Sequence, residues 1–253
     1  MNYQEISPAR IVKHDIRTAA VFERYGIDFC CKGKLPLATL CEEQHVNLNL
    51  IAQDLLRLEL LPMPTQDFSA MSAAELMEYI VQHHHAYVRR SIPIIQSHIH
   101  RVVERHGDDQ PQNREVENLF NTLATELLEH LDKEEHILFP AILRMEMAER
   151  YGLAPVTNRF GTIANPLSGL EAEHEAAGTM MQQIRKLTNN YTPPPSACNT
   201  YKAAYAELRE FEEDLHKHVH LENNILHEMA VHLENSSQSK QTHSNPTQTN
   251  TNT

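Results

Sequence analysis

Histidines recur along this chain at intervals that match one long helix plus its turn. His85, His130, His174 and His218 are separated by 45, 44 and 44 residues, and His130 and His218 are each followed four positions later by a glutamate, Glu134 and Glu222. Residues four apart on an α-helix share a face and lie roughly 6 Å apart along its axis, so one HxxxE offers a nitrogen and an oxygen to the same centre. The period therefore constrains the chain to a helical bundle in which four imidazoles and two carboxylates converge.

Register sharpens this reading. On the second long helix Val116, Leu119, Leu123, Leu127, Ile137 and Ala141 share the stripe of His130 and Glu134. On the fourth, Leu208, Phe211, Leu215, Ile225 and Met229 share that of His218 and Glu222, and on the third Leu170, Ala177, Met181 and Ile184 accompany His174. The stripe Val81, Val88, Ile92, Ile95 and Ile99 selects His85 from His83-His84-His85, leaving the other two for the surface or a flank. A single buried histidine is more often structural than a ligand. Two buried glutamates without a cation, however, each cost several kcal/mol to desolvate, and a metal removes that cost. Imidazole and carboxylate without thiolate suit iron, manganese or zinc, and six ligands exceed what one tetrahedral zinc uses. The expectation is a non-haem di-iron centre, with Glu134 and Glu222 bridging two ions about 3.5–4 Å apart.

The formal charge of −12 disfavours nucleic acid and anionic membranes as partners. No cationic leader precedes an apolar run, and no stretch is long and apolar enough to span a bilayer, so a cytoplasmic protein is expected. Four cysteines in 253 residues make no disulfide framework, and no tryptophan with only seven glycines fits an all-α chain.

Residues 1–62 read as a small helical domain. Ser7 caps a helix that opens at Pro8 and stops at Gly26; helices near Leu37–Cys41 and from Asn47 to Leu61 follow. Residues 63–71, after Pro62 and including Pro64, read as a linker. Residues 72–235 read as an up-and-down four-helix bundle, starting at the capping box Ser72–Glu75 and running over about 72–107, 112–151, 166–188 and 196–234. Pro93 and Pro140 predict bends. The segments HLDKEEHILFPAI and HVHLENNILHEMA share H-x-x-x-E-x-x-I-L, so the bundle reads as two copies of one hairpin. Residues 236–253 are polar and expected to be disordered. Cys30 and Cys31 lie in a turn with Lys32, Gly33 and Lys34, where nearby cations lower thiol pKa. They read either as buried packing residues or as redox thiols serving an intersubunit disulfide, redox sensing or iron delivery. Cys41 reads as core, and Cys198 shows no evident chemistry.

HLDKEEHILFP, EAEHEAAG and HVHLENNIL, with DFCCKGK near the amino terminus, resemble the repair-of-iron-centres family, the iron–sulfur cluster repair di-iron proteins. The resemblance covers residues 1 to about 230. It implies a hemerythrin-like bundle behind a double-cysteine domain, with di-iron ligands at His85, His130, His174, His218, Glu134 and Glu222. It also implies that Glu126 and Glu173 line a route to the metal. The implied function is repair of iron–sulfur clusters damaged by nitric oxide or peroxide, by iron donation or reaction with nitric oxide, in a cytoplasmic homodimer whose partners are damaged or apo iron–sulfur proteins. The same centre also suits oxygen binding or sensing of hemerythrin type, or reduction of nitric oxide or peroxide. Two departures stand out: Lys32 where the family has a glycine, and His227-Glu228 where it has Phe-Pro, which places His227 off the ligand stripe as a peripheral change.

Overall fold

A computed structural model describes residues 3–62, 67–154, 156 and 158–243. The regular elements among the described residues are all helices, with one isolated β-bridge between Asn158 and Gly161. None of their helices is long and apolar enough to cross a membrane.

The amino-terminal unit holds α1 (Pro8–His14), α2 (Ala19–Tyr25), α3 (Leu37–Glu43) and α4 (Leu48–Glu59). Ser7 caps α1 by accepting the Arg10 N–H, and Gly26 closes α2 in the left-handed region at φ 68°. The single helix expected between them is broken at Asp15, whose backbone is extended and whose carboxylate accepts the Arg17 N–H at 3.0 Å. An aspartate that takes a local backbone donor competes with the helix. Cys41 is buried, as expected.

Residues 63–66 of the expected linker lie outside the described residues. Its second half is a 3-10 turn, Phe68–Ala70, capped by Asp67, and Phe68 is buried edge-on against Tyr79 with ring centroids 4.9 Å apart.

Four rods form the bundle. The first is α5 (Ala73–Ile80) and α6 (Ala86–His106), joined through a π-helical turn at Val81–His85. The second is α7 (Gln112–Lys133) and α8 (Phe139–Tyr151), joined through a π turn at Glu134–Leu138. The third is α9 (Ala164–Leu187). The fourth is α10 (Asn199–Leu221) and α11 (His227–His243), joined through a π turn at Glu222–Leu226. The reciprocal capping box of Ser72 and Glu75 starts the first rod. Each rod packs on the next, and the fourth returns to the first.

The π turns were not foreseen, and they shift register. Ile137, expected inside, is 38 % exposed, and Leu138 takes the buried place, because a widened turn carries one residue more than an α turn. Pro140 is the second residue of α8, just past this turn, where its missing N–H falls in the first turn of the helix. In the first rod α6 runs on through Pro93, and the irregularity lies at Val81–His85. The fourth rod continues past Glu234 to His243, since neither glycine nor proline intervenes before Pro246. Residues 244–253 of the expected disordered tail lie outside the described residues.

Two apolar clusters fill the interior. One joins Phe22, Phe29, Leu37, Ile51 and Leu55 of the amino-terminal unit to Val88–Val103, Phe120, Met181 and Phe211 of the bundle. The other holds Leu76, Ile80, Leu138, Ile142, Leu167 and Leu226. The six histidine and glutamate positions belong to neither cluster, so polar side chains occupy the middle of the bundle.

Candidate metal centre

His85 ends one π turn, and Glu134 and Glu222 begin the other two. Such turns recur at functional sites because the extra residue re-aims a side chain. Glu134, His218 and Glu222 are fully buried, and His85, His130 and His174 nearly so. Their ligand atoms fall into two groups, His85–Glu134–His218–Glu222 and His130–Glu134–His174–Glu222, and within each group all lie within 4.8 Å of one another. Both glutamates belong to both groups.

The separations inside are short. Nε2 of His85 and of His218 are 3.2 Å apart, and those of His130 and His174 are 2.9 Å apart. Glu222 lies 2.8 Å from His218, 3.2 Å from His174 and 3.6 Å from His85. Glu134 lies 3.4 Å from both His85 and His130. Neither Glu134 oxygen has a hydrogen bond, and nor does Oε2 of Glu222. Buried carboxylate oxygens without partners, ringed by imidazole nitrogens, are what a cation would complete, and the donor set fits iron.

Burial opposes charge on every one of these groups. For Glu134 and Glu222 the surrounding imidazoles outweigh it and hold the carboxyls below their ordinary range. The two glutamates likewise outweigh it for His130, for His85, pushed up to about 10, and for His174, pushed up to about 9. At His218 burial prevails and the imidazole stays below its ordinary value. The centre thus shares protons among closely spaced bases, and metal binding there would release them.

Three of the four outer nitrogens are held, two of them by residues that the sequence reading missed, while Nδ1 of His218 has no hydrogen-bond partner among the described residues. Nδ1 of His85 donates to Glu135 at 2.8 Å and Nδ1 of His174 to Asn223 at 2.9 Å. Glu135 and Asn223 each directly follow a central glutamate, a pattern that aligning the two hairpins would have revealed. Nδ1 of His130 donates to Glu173 at 2.8 Å, and Lys133 also pairs with Glu173. Glu126 is exposed and lines, with Glu173, Lys133, His130 and His174, a cavity of about 290 Å³.

His83 is exposed, as expected, but His84 is buried with its ring parallel to that of His218. His227 is not peripheral: it is buried, bonds Glu171 at 3.3 Å, and its ring lies nearly parallel to that of His174 at 6.3 Å. The π turn at Glu222–Leu226 brings a residue five positions after Glu222 back toward the core.

The double cysteine packs against the bundle. Asp28 Oδ1 accepts the N–H groups of Cys30 and Cys31 at 2.9 and 3.0 Å, and the two sulfurs are 3.6 Å apart. Asn224 and His220 donate to the carbonyls of Cys30 and Phe29. Gly33 is required, because a Cβ there would meet the Phe29 backbone at 2.5 Å. Both cysteines line a cavity of about 260 Å³ whose opposite wall includes His174, Glu175 and His216. The Cys31 thiol is lowered, but chiefly by a hydrogen bond from Cys30 rather than by nearby lysines, and Lys32 pairs with Glu175 at 3.1 Å. Cys30 is raised by that same bond and by burial. Cys198 stands at the N-cap position of the fourth rod, 3.6 Å from His106, and backbone N–H groups and that imidazole lower its thiol.

Residues 76–230 match the hemerythrin HHE cation binding domain, and residues 7–59 match a domain of unknown function, DUF542, also called ScdA_N. The chain belongs to the hemerythrin HHE family. Among its relatives, the iron–sulfur cluster repair protein YtfE of Cronobacter sakazakii is 34% identical over 215 residues, covering 85% of this chain and 91% of the relative. YtfE of Yersinia pseudotuberculosis is 30% identical over 231 residues, covering 91% and 99%. YtfE of Escherichia coli is 33% identical over 215 residues, covering 85% and 91%.

Proposed function

We propose that this chain is a di-iron protein that repairs damaged iron–sulfur clusters. One ion would be held by His85 and His218, the other by His130 and His174, with Glu134 and Glu222 bridging. The observation that carries the reading is the membership of both buried glutamates in both donor groups. Its YtfE relatives, named for iron–sulfur cluster repair, support the activity.

Iron held by these histidines and glutamates would supply an exchangeable ion and a Lewis-acidic site for small diatomics such as nitric oxide. The chain's own residues do the rest. Glu135, Glu173 and Asn223 orient three of the imidazoles, so each presents Nε2 inward. The apolar clusters on either side exclude bulk water from the middle of the bundle. Glu126 and Glu173, on their shared cavity, offer oxygen donors along a route between His130 and the surface. Cys30 and Cys31 serve as redox thiols beside the second cavity. The partners are damaged or apo iron–sulfur proteins, met in the cytoplasm by a homodimer.

Iron-loaded protein, incubated anaerobically with an apo iron–sulfur enzyme and a sulfide source, should restore that enzyme's cluster absorption and activity. His130→Ala and Glu222→Ala should not. Equal recovery with these variants, or with free ferrous iron at the same concentration, would overturn the reading. Oxygen carriage would leave the thiol-lined cavity without a use, and a stable oxygenated spectrum in the reduced protein would favour it instead.

A further inference from the structure

The two hairpins of the bundle match position by position, and one of their differences bears on access to the centre. A shift of 88 residues carries Glu126, His130, Glu134, Glu135 and Phe139 onto Asp214, His218, Glu222, Asn223 and His227. A shift of 89 carries His84 and His85 onto Glu173 and His174. The contacts match as well. Phe139 lies over His85 at 5.8 Å and 18° as His227 lies over His174 at 6.3 Å and 12°. Glu135 meets His85 as Asn223 meets His174.

Beside His130 the matched position is Glu173, 40 % exposed, and the space around it is the cavity that Glu126 and Lys133 also line. The thiol-lined cavity reaches the partner histidine, His174, from another side. Beside His218 the same position is His84, whose side chain is only 7 % exposed. Its ring lies parallel to His218 at 5.6 Å and 3°, and Tyr79 closes on it edge-on at 5.8 Å. Its Nδ1 is tied to Asp214, the counterpart of Glu126, at 3.0 Å. An acidic opening in one half is thus a wedged imidazole in the other.

We propose that His84 and Asp214 form a plug over the His85–His218 half, so that the ion held with His130 and His174 exchanges with solution while the other is retained. This rests on the two-ion reading above. A departing cation needs replacement ligands at each step, and Glu173 and Glu126 supply them at a mouth. At the plug, the His84 ring lies parallel to that of His218 where Glu173 offers a carboxylate beside His130, so on this side water or a chelator enters only when that ring swings out. Retention of one ion also keeps Glu134 and Glu222 neutralised, so the bundle can give up its exchangeable ion without leaving two buried carboxylates uncompensated.

The test is anaerobic release of ferrous iron from the full chain to a colorimetric chelator. Stoichiometry at loading tests the two-ion reading before the chelator is added, and the release curve tests the plug. The expected wild-type curve has two phases of equal amplitude, separated in rate by about tenfold or more, the scale on which outer residues tune metal retention. His84→Ala should bring the slow phase up toward the fast one, whereas His84→Phe, which keeps a ring in place, should leave it slow. Single-phase release of both ions from the wild type, or a His84→Ala curve identical to it, would overturn the proposal. The wild-type arm decides even where a variant fails to fold.

Discussion

Glu135 Oε1 accepts the Nδ1 proton of His85 at 2.8 Å, which turns the other ring nitrogen of His85 toward Glu134 and Glu222. Arg89 holds the same carboxylate at 3.1 Å, so the acceptor is itself fixed. Outer partners of this kind set the tautomer and basicity of a ligand imidazole, and their loss costs about 10–100-fold in metal affinity. Glu135→Ala should lower metal affinity by that factor, while Glu135→Gln, which keeps an acceptor oxygen, should cost less. Competition against a chelator of known affinity measures both, and equal affinity in Glu135→Ala and wild type would contradict the role.

Glu222 touches both donor groups, whereas His130 touches one. Glu222→Ala should therefore lower iron content more than His130→Ala, and both should melt earlier than wild type in the presence of iron. Metal that binds only the folded state at a hundred times its dissociation constant adds about 2.7 kcal/mol, which is the order of the stabilisation these variants should lose. Iron per chain and melting temperature with and without added metal are the readouts. Unchanged iron content in both variants would refute the ligand assignment.

The four rods of the bundle and the inward register of the six central residues were legible because apolar stripes of period 3.6 run through them. The π turns were not, because a widened turn is a tertiary accommodation with no local composition of its own. Ile137 shows the cost: a strict helical count points it inward, and the extra residue turns it out. His84 escaped notice because a stripe count asks which side chain faces the seam, not which one packs flat against a neighbour from the next position. The break at Asp15 was legible in principle, since aspartate followed by an apolar residue is a capping signal within a longer apolar pattern.

Cys31 should be the more reactive of the paired thiols. It is partly accessible and its pKa is lowered first by the S–H of Cys30, whereas Cys30 is buried and raised. Alkylation near neutral pH, read by mass spectrometry of the digested chain, should modify Cys31 before Cys30. Cys30→Ala removes the donor and should shift the alkylation profile of Cys31 to higher pH. Neither sulfur belongs to the histidine–glutamate groups, so the double alanine variant should keep the iron content of the wild type. Faster modification of Cys30 would show that the bond between the sulfurs runs the other way.

His220 makes the fold sensitive to acid. It stands on the fourth rod, fully buried against the thiol turn, donates Nδ1 to the Phe29 carbonyl and packs edge-on against the Phe29 ring, and its Nε2 has no hydrogen-bond partner among the described residues. Burial, the largest influence, pulls its pKa down to about 4. Its unfolded value is about 6.5, so between these limits the unfolded chain binds a proton that the folded chain refuses. The stability it contributes is therefore fully present above pH about 6.5 and is lost as pH falls through about 4, amounting to about 3 kcal/mol at most. Urea titrations of metal-free protein at pH 7 and near pH 4 should show a larger acid loss for wild type than for His220→Gln, which cannot take up the proton. Identical acid losses in the two proteins would assign the sensitivity to the carboxylates of the centre instead.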